Sequence, residues 1–414
     1  MTEPGDDLVE GDRVELRVGA PAHGGHCVAR IGGPGGRVVF VRHALPGERV
    51  TAEVTELHRG YLRADAVEVH EPSPDRVAAP CPWAHPGGCG GCDLQHVAED
   101  AQREWKAAVV REALTRVGGL PGDVVDRLGV QVRALPGGLL GWRTRVRYAV
   151  DAAGRPGLLQ HRSHQVVPID RCRIAHPAIQ SLDVTARSWP DADAVEVVAS
   201  TAGDLVQQEM RAGDRVQLTG PAQVGERAAG REWRLSADGF WQVHPAAADT
   251  LVEAVLELLR PAPGETAWDL YGGAGLFAAA LAERTGARMT VVESAPAAVA
   301  AARENLADLP RVEVVAAKVD AALARRRVTG PVDLVVLDPP RTGAGGPVVR
   351  AVAAAGPRAV AYVACDPVAL ARDVATFTEA GWRLAEFRAY DCFPMTHHVE
   401  CVALLLPTAD AEVS

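Results

Sequence analysis

Eight cysteines stand at Cys27, Cys81, Cys89, Cys92, Cys172, Cys365, Cys392 and Cys401, and their spacing is uneven. Cys81, Cys89 and Cys92 fall in one short stretch, Cys81-Pro82-Trp83 and Cys89-Gly90-Gly91-Cys92-Asp93-Leu94-Gln95-His96, with Cys172 in Asp170-Arg171-Cys172 as a distant fourth candidate. Three close thiolates and one remote one can hold an iron–sulfur cluster or a zinc ion, and spacing alone leaves both open. A redox pair of Cys89 and Cys92 lacks a thioredoxin-like surround. Cys365 is different. It follows the apolar run Ala361-Tyr362-Val363-Ala364, so a buried strand would deliver its thiol to the edge of a sheet. A free cysteine is often core, but that position suits a nucleophile, which needs access and a lowered pKa.

Two further runs end in chemistry. Thr396-His397-His398-Val399-Glu400 precedes an apolar strand. Adjacent histidines hint at a metal, but no third ligand has suitable spacing, whereas Glu400 suits a general base. Asp269-Leu270-Tyr271-Gly272-Gly273-Ala274-Gly275 reads as a strand end running into a helix near Leu276, with glycines that let backbone approach a ligand. Glu293 ends the next strand about 20 residues later, where a carboxylate accepts hydrogen bonds from a ribose. A dinucleotide site is the competing reading, but the third glycine of its fingerprint is absent, and without a lysine the loop is no P-loop. Adenosylmethionine carries no phosphate and suits such a loop. Asp338-Pro339-Pro340-Arg341 closes a third strand, its prolines fixing the backbone where substrates bind.

The surrounding pattern supplies the elements. Short alternating strands such as Arg13–Val18 and Arg37–Val41, broken by glycine-rich turns, predict a small β-barrel over 8–71. Glu71-Pro72-Ser73-Pro74 reads as a linker. Residues 75–235 form a β-rich middle unit that carries the cysteine cluster and a helix from Ala98 to Val117. From 236 to 407 strands and helices alternate: a helix over Ala246–Leu259, then strands Thr266–Leu270, Met289–Glu293, Val332–Leu337 and Ala359–Ala364. That order implies an α/β domain with a parallel sheet and crossover helices. No internal repeat is visible.

At 414 residues the chain is too long for one core. With 48% hydrophobic residues, burying two or three cores is feasible. No apolar run reaches the roughly 20 residues of a membrane helix. The start, Met1 to Asp12, is acidic and polar rather than signal-like, which favours a cytoplasmic protein and makes a disulfide framework unlikely in kind. A net charge of −10 argues mildly against a nucleic-acid partner, but RNA binding needs only a local basic surface. Arg143, Arg145, Arg147, Arg155, Arg162, Arg171 and Arg173 face only Asp151 and Asp170 in their segment. A solvated face is the plain alternative.

From Asp238 to Leu406 the chain resembles the RNA 5-methyluridine methyltransferases of bacterial ribosomal and transfer RNA. The resemblance is carried by Phe240-Trp241-Gln242, Asp269-Leu270-Tyr271, Glu293, Asp338-Pro339-Pro340-Arg341, Tyr362-Val363-Ala364-Cys365-Asp366-Pro367 and His397-His398-Val399-Glu400. It implies a Rossmann-like methyltransferase domain in which Gln242, Tyr271, Glu293, Asp320 and Asp338 contact S-adenosylmethionine. Cys365 would be the nucleophile and Glu400 the base. The Cys-Gly-Gly-Cys-x-Leu-Gln-His run is similar to that of members with a [4Fe–4S] cluster, which implies Cys81, Cys89, Cys92 and Cys172 as its ligands, with zinc as the alternative. The barrel resembles the TRAM-like, OB-like RNA-binding barrel of these enzymes. The partner implied is RNA, at a single-stranded or loop uridine, with no membrane and no obligate protein partner. Three features depart from the family pattern: a long gap from Cys81 to Cys89, His244 in place of an asparagine, and Leu276 where some members have an asparagine. Competing functions are a methyltransferase for cytidine or a small molecule, and a non-catalytic RNA-binding iron–sulfur protein.

Overall fold

The computed structural model describes residues 8–408. The acidic start expected over Met1 to Asp12 falls in part on residues 1–7, outside that range.

The first unit is a six-stranded sheet of β1 (Arg13–Arg17), β2 (Pro21–Ala22), β3 (His26–Ile31), β4 (Arg37–Arg42), β5 (Arg49–Leu57) and β6 (Tyr61–Glu71), ordered β1-β5-β6-β4-β3-β2. β1 pairs with β5, while the chain just after it turns to pair with β3, through Gly19 N to Val28 O at 2.7 Å and Val28 N to Ala20 O at 2.9 Å. One run of chain thus serves both edges and closes the barrel. Alternation along β5 turns Val50, Ala52 and Val54 inward, as a period of two requires.

Next come α1 (Glu99–Arg116), α2 (Gly122–Arg127) and β7 (Val132–Ala134). The sequence groups these with the middle unit, but they pack elsewhere. Ala107, Val110, Ala113 and Leu114 of α1 enter the core beneath the C-terminal sheet, and Trp105 and Val109 enter the barrel core. β7 pairs in parallel with an edge strand of that C-terminal sheet. A helix with apolar residues on two sides is a bridge between cores.

The middle unit proper comprises β8 (Arg145–Val150), β9 (Pro156–Leu159), β10 (Val166–Pro168), α3 (Pro177–Gln180), β11 (Ala194–Ala199), β12 (Leu205–Arg211) and β13 (Asp214–Thr219). Its antiparallel sheet, ordered β10-β9-β8-β11-β12-β13, packs around Trp142, Tyr148, Ile174 and Val197. The hairpin β14 (Gln223–Ala228) and β15 (Arg231–Ser236) inserts Val224, Trp233 and Leu235 into the C-terminal core.

The C-terminal unit contains α4 (Ala247–Leu259), β16 (Ala267–Leu270), α5 (Leu276–Thr285), β17 (Met289–Glu293), α6 (Pro296–Asn305), β18 (Val312–Ala316), α7 (Val319–Ala324), β19 (Leu334–Leu337), α8 (Gly346–Ala355), β20 (Ala359–Ala364), α9 (Pro367–Glu379), β21 (Trp382–Asp391) and β22 (Glu400–Pro407). Its eight strands run β18-β17-β16-β19-β20-β22-β21-β7. β16 to β20 are mutually parallel, and β22 lies antiparallel between β20 and β21. β18 and β21 carry too many polar or half-exposed residues to read as buried strands from sequence. The strand order reverses between β16 and β19, and such a switch point opens a crevice beyond the strand ends.

Candidate active site

A cleft of about 1120 Å³ opens beyond the carboxyl ends of the parallel strands. Its lining includes every position expected to hold a cofactor or react: Gln242, Tyr271, Glu293, Asp320, Asp338, Cys365 and Glu400. They come from seven separate places in the chain, joined by the sheet.

The first wall is the turn after β16. A side chain at Gly272 would place its Cβ 2.6 Å from Val291 Cγ1 and 3.0 Å from the Asp269 carboxyl carbon, so only glycine fits. Tyr271 takes a left-handed backbone at φ 66°, a conformation that costs a non-glycine residue energy and persists only where surroundings fix it. Asp269 Oδ2 accepts from Ala278 N at 2.9 Å and holds the start of α5, while its Oδ1 is buried without a partner. Glu293 is anchored at the end of β17 by the amides of Gly273 (3.1 Å) and Ala295 (2.7 Å). Asp320 is exposed at the start of α7, on the rim. Phe240, beside Gln242, is 77% exposed in the same cleft.

The opposite wall is set by register. Ala364 of β20 lies opposite Cys401 of β22, so one step further Cys365 faces Glu400, and directly opposed residues share a face. The parity agrees: Ala361, Val363, Val402 and Leu404 lie in the core on the α4–α5 side, while Tyr362, Ala364 and Cys401 lie in the other. Burial and then the nearby Glu400 push the Cys365 thiol up to about 12, with Arg341 opposing the shift. Glu400 is 3% exposed, and burial followed by Asp338 raises its carboxyl well above the usual range. Burial and the charge of Asp269 raise Asp338 to about 7. The next residue, Asp366, caps α9 through Val368 N (3.0 Å) and Ala369 N (2.8 Å) and receives His23 of the barrel at 3.0 Å.

A second cavity of about 370 Å³ gathers Cys81, Cys89, Cys92 and Cys172. Cys89 pairs with Gln160 just past β9, and Trp83 Nε1 donates to Asp170 Oδ1 at 2.6 Å, bringing the Cys172 turn alongside. Burial raises the Cys89 thiol to about 11 and also raises those of Cys92 and Cys172. Arg143, Arg147, Arg162, Arg171 and Arg173 line the same cavity. Among the described residues no group of three or more His, Cys, Asp or Glu side chains is arranged to hold a metal ion. Not all arginines of the basic stretch face outward. Arg145 is largely buried, ties Ala237 O (3.1 Å) and Gly239 O (2.6 Å), and pairs with Glu226.

Gly90, Gly91, Arg143 and His161 line both cavities, so the two share a wall. Several residues of this junction were not singled out in the sequence. Lys106 is fully buried and donates to Asp391 Oδ1 at 2.6 Å, and buried Gln102 accepts from Met395 N at 2.9 Å. Their signal was available: positions 102, 106, 109, 110, 113 and 114 share one helical face, and a lysine there is out of place. Buried Asp373 was also missed. It accepts from the Tyr362 hydroxyl at 2.5 Å and Ala344 N at 2.8 Å, fixing the loop that follows Arg341. Of the departures, His244 is buried and stacks on Trp142 with ring centroids 6.0 Å apart, and Leu276 lines the cleft.

Comparison with known proteins places this geometry. Residues 8–67 match the TRAM domain, and residues 221–408 match the tRNA (Uracil-5-)-methyltransferase family. An uncharacterized RNA methyltransferase of Streptomyces avermitilis is 49% identical, over 96% of this chain and 99% of its own. The 23S rRNA (uracil(1939)-C(5))-methyltransferase RlmD of Chromohalobacter salexigens is 33% identical, over 93% of this chain and 87% of its own. The crystal structure of Pyrococcus abyssi tRNA (uracil-54, C5)-methyltransferase in complex with S-adenosyl-L-homocysteine shares the fold, with a TM-score of 0.70 and 23% identity over 94% of this chain and 100% of that one. Among the described residues no helix is long and apolar enough to cross a membrane.

Proposed function

This chain belongs to the TRAM-bearing RNA (uracil-5-)-methyltransferase family, and from that premise we propose that it methylates carbon 5 of a uridine in ribosomal or transfer RNA through a covalent bond from Cys365. The observation that carries this reading is the register of β20 on β22, Ala364 opposite Cys401, which brings Cys365 and Glu400 into one cleft whose other wall suits a nucleoside.

The residues fit S-adenosylmethionine. Glu293 is held at the strand end where ribose hydroxyls are recognised, Gly272 and Gly273 open the backbone, and Gln242, Tyr271, Asp320 and Asp338 complete the lining. When bound, the cofactor supplies a methyl group already activated as a sulfonium, whose positive charge favours the ionised forms of Asp338 and Glu400. Carbon 5 of uracil is a poor nucleophile. Arg341 and the sulfonium charge would favour the thiolate of Cys365, whose proton passes to solvent; the thiolate adds to carbon 6, and the ring electrons move onto the O4 enolate. Carbon 5 then bonds to the methyl carbon as the methyl–sulfur bond breaks, its electron pair returning to sulfur and leaving neutral S-adenosylhomocysteine. Glu400 takes the proton from carbon 5, the carbon 5–carbon 6 double bond re-forms, and the bond to sulfur breaks. The scheme needs one nucleophile and one placed base, and the cleft supplies one of each.

Cys81, Cys89, Cys92 and Cys172 line one cavity, and three close thiols with one remote thiol suit a [4Fe–4S] cluster, with zinc as the alternative. Bound there, a cluster supplies a cross-link between the Cys81–Cys92 loop and the Cys172 turn. The reaction has no redox step for it to serve. The barrel and the arginines around the cysteine cavity hold RNA backbone, while the target uridine is flipped into the cleft.

RNA carrying 5-fluorouridine tests this. Fluorine cannot leave as a proton, so wild-type protein and S-adenosylmethionine should yield a protein–RNA adduct that survives denaturation. Cys365→Ala should form none and should lose turnover by at least about 10³-fold. Equal capture by that variant removes Cys365 from its role.

A further inference from the structure

Glu400 opens β22, and the segment before it, from Cys392 to Val399, is clamped by residues more than two hundred positions upstream. Asp93, immediately after Cys92, makes most of one side of the clamp. Its Oδ2 accepts from His397 Nδ1 at 2.6 Å and from His397 N at 3.2 Å. Its own amide and that of Leu94 both donate to Met395 O, at 3.0 and 2.9 Å. Met395 sits at φ 67°, a left-handed backbone that these bonds, with Gln102 from α1, hold in place. Asp93 is 6% exposed, and Arg42 of the barrel approaches it at 3.6 Å. Burial alone would raise its carboxyl, but the His397 bond and charge, then Arg42, hold it well below the usual range.

We propose that Asp93 is a positioning residue for Glu400: it ties the cysteine-bearing loop to the segment that aims the base. The proposal rests on Glu400 being the base. A carboxylate displaced by about 1 Å loses much of its effect in proton transfer, whereas addition by Cys365 and methyl transfer depend on β20 and the β16 turn; Asp93 lines the same cleft, but its hydrogen bonds go to the segment before Glu400. Loss of Asp93 should therefore stall the last step and spare the earlier ones.

The experiment uses the full-length protein with its metal content measured, unmodified substrate RNA and S-adenosylmethionine, and follows the covalent adduct on denaturing gels. Glu400→Gln is the benchmark. It should accumulate a methylated adduct that does not release; if it does not, the base assignment fails and this proposal with it. With that benchmark in place, Asp93→Ala should bind S-adenosylmethionine as wild type does and release the adduct roughly tenfold more slowly or worse. Asp93→Asn keeps an acceptor oxygen for His397 N and should fall between. If Asp93→Ala loses cofactor binding, Asp93→Asn becomes the deciding variant. Release at the wild-type rate by the deciding variant overturns the proposal, as does absence of any adduct from both, which would mark a merely structural role.

Discussion

The cleft and the cysteine cavity share a wall and differ in the acidic groups they bury. The cleft collects carboxyls: burial raises Asp338 to about 7 and Glu400 well above the usual range, and Asp269, buried beneath the β16 turn, is also raised to about 7. The cysteine cavity collects thiols, also raised by burial, under a rim of arginines. In both, burial penalises the charged form that chemistry requires. In both, an occupant of opposite sign would remove the penalty: a sulfonium in one and, under the proposed function, iron in the other. Two cavities a few residues apart thus make the same electrostatic demand and differ in the atoms they offer, carboxyl oxygen in one and thiol sulfur in the other.

The largest effect that would sharpen this contrast is on metal. Cys172→Ser should reduce bound iron to background, by elemental analysis and loss of visible absorbance, while S-adenosylmethionine affinity by calorimetry stays at the wild-type value. Equal loss of both would mean that the cavities are one site. Next is the junction. Lys106→Met leaves Asp391 buried without its cation, and denaturant unfolding should show a loss of about 3–5 kcal/mol. Adding Asp391→Asn should recover part of it, and no change in Lys106→Met would make the buried pair incidental. The smallest effect is on pH. An acid whose folded pKa lies above its unfolded value stabilises the ligand-free fold at low pH and loses that contribution as pH rises through the folded value, here between about 4 and about 7 for Asp269 and Asp338. A cationic ligand reverses the penalty and releases a proton. S-adenosylmethionine should therefore bind up to about tenfold more tightly at pH 8 than at pH 6, and neutral S-adenosylhomocysteine should show a weaker trend. Identical trends would remove the charge from the account.

Much of this was legible in the chain because a parallel sheet writes itself plainly. Its strands are buried on both faces and read as short apolar runs, and the residue after each run faces the ligand edge. Glu293, Asp338 and Cys365 are all visible in that way. β18 and β21 were not, because half-exposed strands mix polar and apolar residues. The helix α1 was read correctly as a helix and assigned to the wrong neighbours, since periodicity reports that a face is buried and is silent about what covers it. Cys172 could be nominated as a fourth thiol but not positioned; the pairing of Cys89 with Gln160 and the bond from Trp83 to Asp170 bring it close.

By itself the sequence determined the residue types and the local geometry: which carboxylates and thiols end strands, where glycine must turn, and which family pattern the runs share. The tertiary structure decided what meets what. Antiparallel insertion of β22 beside β20 brings Glu400 to Cys365, and the fold of the cysteine loop over Met395 brings Asp93 to the segment before it. The reason is range. Covalent and hydrogen-bond geometry acts over a few residues and leaves its mark on spacing. Contacts across hundreds of residues are fixed by burial and register, which depend on the whole packed core.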